Sequence, residues 1–163
     1  MRQFLVYSVM IVCIPVAASA QSASESGGDR DAILATVQKF FDTMSSRDVA
    51  AARGLLIPEG RMFAVVDGKT PVTFRSRMLQ EHLDSMGARK EDFRERFWNP
   101  DVRIQGPIAV VWTPYDFWID GKFSHCGVDA FDLVKTPEGW KISGGVYTVQ
   151  RDGCPPSPLG PLK

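Results

Sequence analysis

The chain has 163 residues, 44% of them hydrophobic, and 19 basic side chains against 19 acidic ones. That length favours one domain over several, and that apolar share favours a packed core over an extended disordered chain. Zero formal charge, with the basic residues scattered, leaves no electrostatic case for nucleic acid or for an anionic membrane.

The first twenty residues have a character of their own. Arg2 supplies a short positive end, Phe4 to Val12 and Ile14 to Ala17 are apolar, and Ala18-Ser19-Ala20 fits the small-x-small rule for signal peptidase. Residues 1–20 are therefore expected to be a cleaved signal peptide, with Gln21 as the mature N-terminus and the periplasm or the medium as destination. The apolar run is too short for a span of about 20 residues, so no membrane association is expected after cleavage. Val12 before Cys13 is not the small residue that a lipoprotein signal requires.

Gln21 to Gly28 is polar and rich in Ser and Gly, which predicts a flexible leader. The folded domain is expected over residues 29–152. Asp29 is placed to cap a first helix in which Ile33, Leu34, Val37, Phe40, Phe41 and Met44 form one apolar stripe. Asp48 caps a shorter second helix, stopped by Pro58 and Gly60. Asp67-Gly68 predicts a tight turn between Arg61–Val66 and Thr70–Phe74. Ser76 then opens a third helix, which Gly87 ends.

From Phe93 onward the pattern is sheet. Phe93 to Ile104 is broken at Asn99-Pro100. Ile108 to Ile119 turns at Asp120-Gly121 into Lys122 to Val134, and Pro137-Glu138-Gly139 turns the chain into Trp140 to Arg151. Residues 153–163 are Pro-rich and predict an extended tail. Helices followed by an antiparallel meander give an α+β class with helices on one sheet face.

This order resembles the nuclear transport factor 2-like superfamily, which includes ketosteroid isomerase-like and SnoaL-like proteins. The carriers are the leading helix AILATVQKFFDTM, the segment DVAAARGLL from Asp48, and the final hairpin GVDAFDLVKTPEGWKISGGVYT. The resemblance implies a cone: a curved antiparallel sheet wrapped around N-terminal helices, with an internal pocket. It also implies dimerisation through the outer sheet face. Members of the superfamily range from isomerases and cyclases to ligand binders and assembly domains, so the fold does not fix the function.

The turns set an expected register. A two-residue turn at Asp120-Gly121 puts Asp116 opposite His125 and Trp112 opposite Asp129. Lys135 opposite Trp140 puts His125 opposite Gln150 and Asp129 opposite Val146. Opposite residues share a face. One face then carries Val110, Trp112, Asp116, Trp118, Phe123, His125, Asp129, Phe131, Leu133, Trp140, Ile142 and Val146, and its larger hydrophobes assign it to the helices. The other carries Val111, Thr113, Tyr115, Phe117, Cys126, Val128, Ala130, Val134, Tyr147 and Val149. A bulge near Pro114 would swap the faces.

On this assignment Asp129 and His125 are the candidate acid and base, and Trp112, Asp116, Phe131 and Val146 line a pocket for a small apolar ligand. Burial and neighbouring charge would shift both titratable groups toward neutrality. An Asp opposite a His is also a common structural ion pair, and Asp129 is equally suited to accept the indole N–H of Trp112. Three readings follow: a binding module for a small hydrophobic molecule, a lyase, isomerase or hydrolase using Asp129 or His125, and a purely structural domain. Arg94, Glu95 and Arg96 read as solvent-facing charges on a sheet edge.

His82 and His125 lie on different elements, and no His/Cys/carboxylate cluster has zinc spacing, so neither metal nor cofactor is expected. His125 and Cys126, adjacent in a strand, point to opposite faces, which disfavours a nucleophile pair. Export favours a disulfide between Cys126 and Cys154. The register opposes it, separating them by roughly 15 Å at about 3.3 Å per residue, against a reach of about 7 Å. Only a tail folding back near Gly153 would close that gap.

Overall fold

The computed structural model describes residues 18–68 and 71–162, with side chains from residue 27 onward. Most of the expected signal segment lies outside the described residues. Helix α1 (Ala18–Ser46) is followed by α2 (Val49–Leu55), β1 (Leu56–Val66), β2 (Thr73–Met78) and α3 (Leu79–Ala88). Strands β3 (Phe93–Phe97), β4 (Asp101–Gln105), β5 (Ile108–Ile119), β6 (Lys122–Thr136) and β7 (Gly139–Val149) complete the domain.

The helical backbone runs through the segment read as a leader, so Asp29 lies inside α1 rather than at its N-cap. Its carboxylate instead accepts the indole N–H of Trp140 at 3.0 Å and the Lys135 ammonium at 2.8 Å, tying α1 to the β6–β7 turn. The apolar stripe behaves as its spacing requires: Ile33, Val37, Phe40, Phe41 and Met44 are all buried. Asp48 caps α2, its carboxylate accepting from the backbone N–H of Ala51 at 2.9 Å. Pro58 and Gly60 do not stop that helix; they belong to β1, which begins at Leu56. Ser76 lies in β2, and α3 starts three residues later, where the Glu81 carboxylate accepts from the Met78 backbone N–H at 2.9 Å.

The strands form one seven-stranded curved sheet in the order β2-β1-β7-β6-β5-β3, with β4 also pairing β5. The sheet is mixed rather than wholly antiparallel, because β1 runs parallel to β7. The three helices cover its inner face. There Phe41 meets Phe97 and Phe131 edge-on or tilted, with ring centroids 5.7 and 5.9 Å apart. Val111, Leu133 and Ile142 complete this core at 0–1% exposure.

Two one-residue bulges decide which side chains share that face. Ile119↔Lys122 and Trp118↔Phe123 pair as the turn requires, but Phe117 then meets His125, so Ser124 is extra. Lys135↔Trp140 and Leu133↔Ile142 also pair as expected, after which Asp132 meets Gly144 and Ser143 is extra. Each bulge flips everything beyond it by one residue. Asp116 therefore lies opposite Cys126, not His125, and Asp129 lies between Thr113 and Tyr147 instead of between Trp112 and Val146.

Candidate functional site

The bulges divide the expected site between two faces. Asp129, His125 and Phe131 are on the inner face, as assigned. Trp112, Asp116 and Val146 are on the outer face, so they do not converge with Asp129 as expected; Trp112 is 56% and Val146 40% exposed. The expected bond from the Trp112 indole to Asp129 is likewise excluded. Phe131 is 1% exposed and packs on Phe40 and Phe41, so it belongs to the core rather than to a pocket wall.

On the inner face Asp129 meets a group that the sequence reading placed in solvent. Strand β3 pairs β5 through Glu95↔Phe117 and Arg96↔Asp116, so Glu95 turns inward and Arg96 outward. The Glu95 and Asp129 side chains hydrogen-bond each other, which requires a proton between them. Burial is the first cause that raises both carboxyls, and each neighbouring carboxylate raises Glu95 further; Asp129 is pushed up to about 8. The contact with Asp129 raises Glu95 further, while the contact with Glu95 lowers Asp129 somewhat, so Glu95 is the later of the two to lose its proton. Burial also raises Tyr115 and Tyr147, and the two carboxylates add to it.

The Tyr115 hydroxyl donates to the Thr148 carbonyl at 2.7 Å, its ring crossing Gly127 on the neighbouring strand. A β-carbon at Gly127 would stand 2.1 Å from that same carbonyl, so only glycine lets the strands approach this closely. His125 does not join the pair. It lies four residues from Asp129 on one strand, about 13 Å along it. Its ring stacks on Phe117 at 4.9 Å, its Nδ1 faces the Ser124 hydroxyl at 3.0 Å, and burial lowers its pKa to about 4.

The outer face is built differently. Asp116 is 2% exposed, yet Arg96 grips it with two hydrogen bonds of 2.9 and 2.6 Å. The same guanidinium donates to the Gly160 carbonyl at 2.9 Å and lies 5.3 Å from the Trp118 ring. Gly160 is within reach because the tail folds back. Gly153 adopts φ +70°, and Cys126 and Cys154 are joined as a disulfide with Cα atoms 6.0 Å apart. The bond that the expected register opposed is thus formed, by the route of a reversal at Gly153.

Between the folded-back tail and the sheet is a groove of about 680 Å³. Trp98, Trp112, Trp118 and Phe123 line its sheet side, and Pro155, Pro156 and Pro161 its tail side. The Trp118 indole N–H is buried with no acceptor among the described residues. Trp112 and Asp116, both expected to line a pocket, do line this one, on the face opposite to the expected one. Among the described residues no group of three or more His, Cys, Asp or Glu side chains is placed to hold a metal ion, and no helix is long and apolar enough to cross a membrane.

A family model described as "Putative lumazine-binding" matches residues 28–148. No curated protein sequence matches the chain. Similar solved structures include an NTF2-like protein with a cystatin-like fold from Novosphingobium aromaticivorans, at 14% identity and TM-score 0.64 over 86% of this chain and 94% of that one. Rv3472, a protein of unknown function from Mycobacterium tuberculosis, aligns at 16% identity and TM-score 0.62 over 80% and 75%. An NTF2-like superfamily protein from Salmonella enterica aligns at 15% identity and TM-score 0.58 over 83% and 96%. The α+β fold is that of the NTF2-like proteins.

Proposed function

The chain belongs to this lumazine-binding-like family, and from that premise we propose that it is a binding module for a small, flat, largely apolar molecule, held in the groove between the outer sheet face and the C-terminal tail. The groove itself carries the reading. Its volume of about 680 Å³ falls within the range of small-molecule sites, and three indoles and a phenyl ring offer stacking surfaces. The Trp118 indole N–H supplies one unused donor, suited to a carbonyl on the ligand. A bicyclic heteroaromatic of the lumazine class has this shape and such carbonyls.

The test is titration of the purified protein with lumazine, followed by tryptophan fluorescence. Saturable quenching is expected, and Trp112→Ala should weaken it at least tenfold while leaving the unfolding midpoint nearly unchanged, since Trp112 is 56% exposed. Quenching that is unsaturable, or unaffected by Trp112→Ala and by removal of residues 155–163, would sink the reading.

Two further expectations belong with it. The Cys126–Cys154 bond supports export, since such bonds persist in oxidising compartments; an intact mass beginning at Gln21 would match cleavage after Ala20. Ile108, Val110 and Val146 stay exposed beside the groove, which supports a second copy docking there. Size-exclusion chromatography with light scattering checks the dimer, and a monomer at micromolar concentration would remove it.

A further inference from the structure

Strand β2 ends the sheet on one side. It pairs β1, and among the described residues no strand pairs its other edge. From Thr73 to Arg77 that edge leaves backbone N–H and C=O groups without a strand to meet them. Such an edge takes up an added strand when its side chains suit the newcomer.

The side chains of β2 alternate between two characters. Arg75 pairs Ala64, which pairs Tyr147, and Arg77 pairs Met62, which pairs Gly145. Both arginines therefore point to the inner side of the sheet, in the rows that lead on to Asp129 and Phe131. Ser76 pairs Phe63, which pairs Val146, so Phe74 and Ser76 point to the outer side. Phe74 is 66% exposed and rests on Phe63, with ring centroids 6.4 Å apart. Val72, just before the strand, is 68% exposed.

The two cations are uncommitted. The ion pairs among the described residues use Arg89, Arg94, Arg96, Arg103, Lys135 and Lys141. Arg75 and Arg77 are exposed and belong to none of them. Two kinds of partner fail on the alternation. A lipid surface meets one side of a strand at a time, whereas the cations and the phenyl ring of β2 are on opposite sides. A second copy of β2, antiparallel and centred on Arg75 or on Ser76, would set Arg75 against Arg75 or against Arg77, with like charges side by side.

We propose that the β2 edge binds an extended segment of a partner protein in which acidic and apolar residues alternate, added to the sheet as a further strand. Its acidic side chains stand beside Arg75 and Arg77 on the inner side, and its apolar ones beside Phe74 on the outer side. Main-chain hydrogen bonds supply the affinity and the alternation supplies the selectivity. Arginines on an edge keep off basic strands and further copies of β2, but they admit an acidic strand.

The probe is the capped peptide TVEVEVT, titrated calorimetrically into the full-length protein, with TVKVKVT as the charge-reversed control. Saturable binding of the first and none of the second is expected. N-methylation of the glutamates, or separately of the valines, blocks alternate amides. One of the two patterns should abolish binding and the other should spare it, because only alternate residues of an added strand turn their backbone groups toward β2. The Arg75→Glu/Arg77→Glu double variant should weaken TVEVEVT at least tenfold and admit TVKVKVT, with the unfolding midpoint nearly unchanged. It should leave the lumazine titration as it was, and Trp112→Ala should leave peptide binding as it was, which separates this edge from the groove. No binding of TVEVEVT at about 1 mM, equal binding of TVKVKVT, indifference to both methylation patterns, or arginine-dependent binding to phosphatidylglycerol vesicles in place of the peptide would overturn the proposal.

Discussion

Asp116 and Asp129 are each 2% exposed and sit on neighbouring strands of one sheet, yet they are held in opposite ways. On the outer face Asp116 has a guanidinium, two charge-assisted hydrogen bonds and a place in an ion pair. On the inner face Asp129 has another carboxyl beside it, and among the described residues its Oδ2 has no hydrogen-bond donor outside that pair. Equal burial thus gives no common outcome. The partner decides how a buried acid is held, and adjacent residues of β3, Glu95 and Arg96, supply a carboxyl and a guanidinium to opposite faces.

That contrast breaks most sharply at Arg96. Arg96→Ala strands a buried carboxylate and also releases the tail at Gly160. It should cost about 4 kcal/mol, the scale for half of a buried pair removed, measured as a shift of the urea midpoint. A loss below about 1 kcal/mol would place Asp116 among the weak exposed pairs instead.

Next in size is the staple that keeps the outer face covered. Cys154→Ser opens a loop spanning 28 residues of sequence separation, and should cost about 3.6 kcal/mol on the chain-entropy scale. Because the tail walls the groove, the same variant should lower lumazine affinity. Thiol counting on the denatured wild type should find Cys126 and Cys154 unreactive.

The inner face is sharpened by pH. The folded-state pKa values of Asp129 and Glu95 are raised above those of the unfolded chain, so folding takes up protons there. Their contribution is complete below about pH 4 and is lost as pH rises toward about 8, the folded value of Asp129. His82 and His125 act in the other direction, since burial lowers both to about 4 and stability falls as pH drops below about 6.5. The clean window is therefore pH 6.5 to 8. There the wild type should lose roughly 1.4 kcal/mol per pH unit for each proton concerned, and the Glu95→Gln/Asp129→Asn double variant should lose almost none. Urea midpoints at pH 6.5 and 8 test this, and equal slopes would remove the shared proton.

The fold was largely legible because its signals are periodic. The α1 stripe, the break at Asn99-Pro100, the turn at Asp120-Gly121, and the first rungs of the β5–β6 and β6–β7 hairpins are local, and the structure keeps them; the tight turn expected at Asp67-Gly68 is instead a longer connection, with Val66 pairing Thr73 and β2 beginning there. Faces are not local. They come from counting along strands, and one extra residue at Ser124 and another at Ser143 reverse the count. Neither serine carries a mark that distinguishes a bulge from ordinary strand, although the positive φ values of Gly144 and Gly145 show where β7 is forced. Glu95 was hidden for a related reason. Within Arg94-Glu95-Arg96 it reads as a solvated edge charge, and only its pairing to Phe117 turns it inward. The signal that could have found it was the alternation with Phe93 and Phe97, which share its face.

The parallel pairing of β1 with β7 has a consequence for how the chain folds. Strand β1 joins the β1–β2 hairpin to the rest of the sheet only through β7, with Phe63 on Val146 and Val66 on Val149. These rungs bridge about eighty residues of sequence, so their closure comes at high entropic cost and sets a high contact order. During synthesis the first hairpin must wait, its inner edge open, until the last strand has left the ribosome. Folding should then be governed by a late, long-range step rather than by the early helices, and a chain stopped before β7 would hold two sheet fragments with nothing between them.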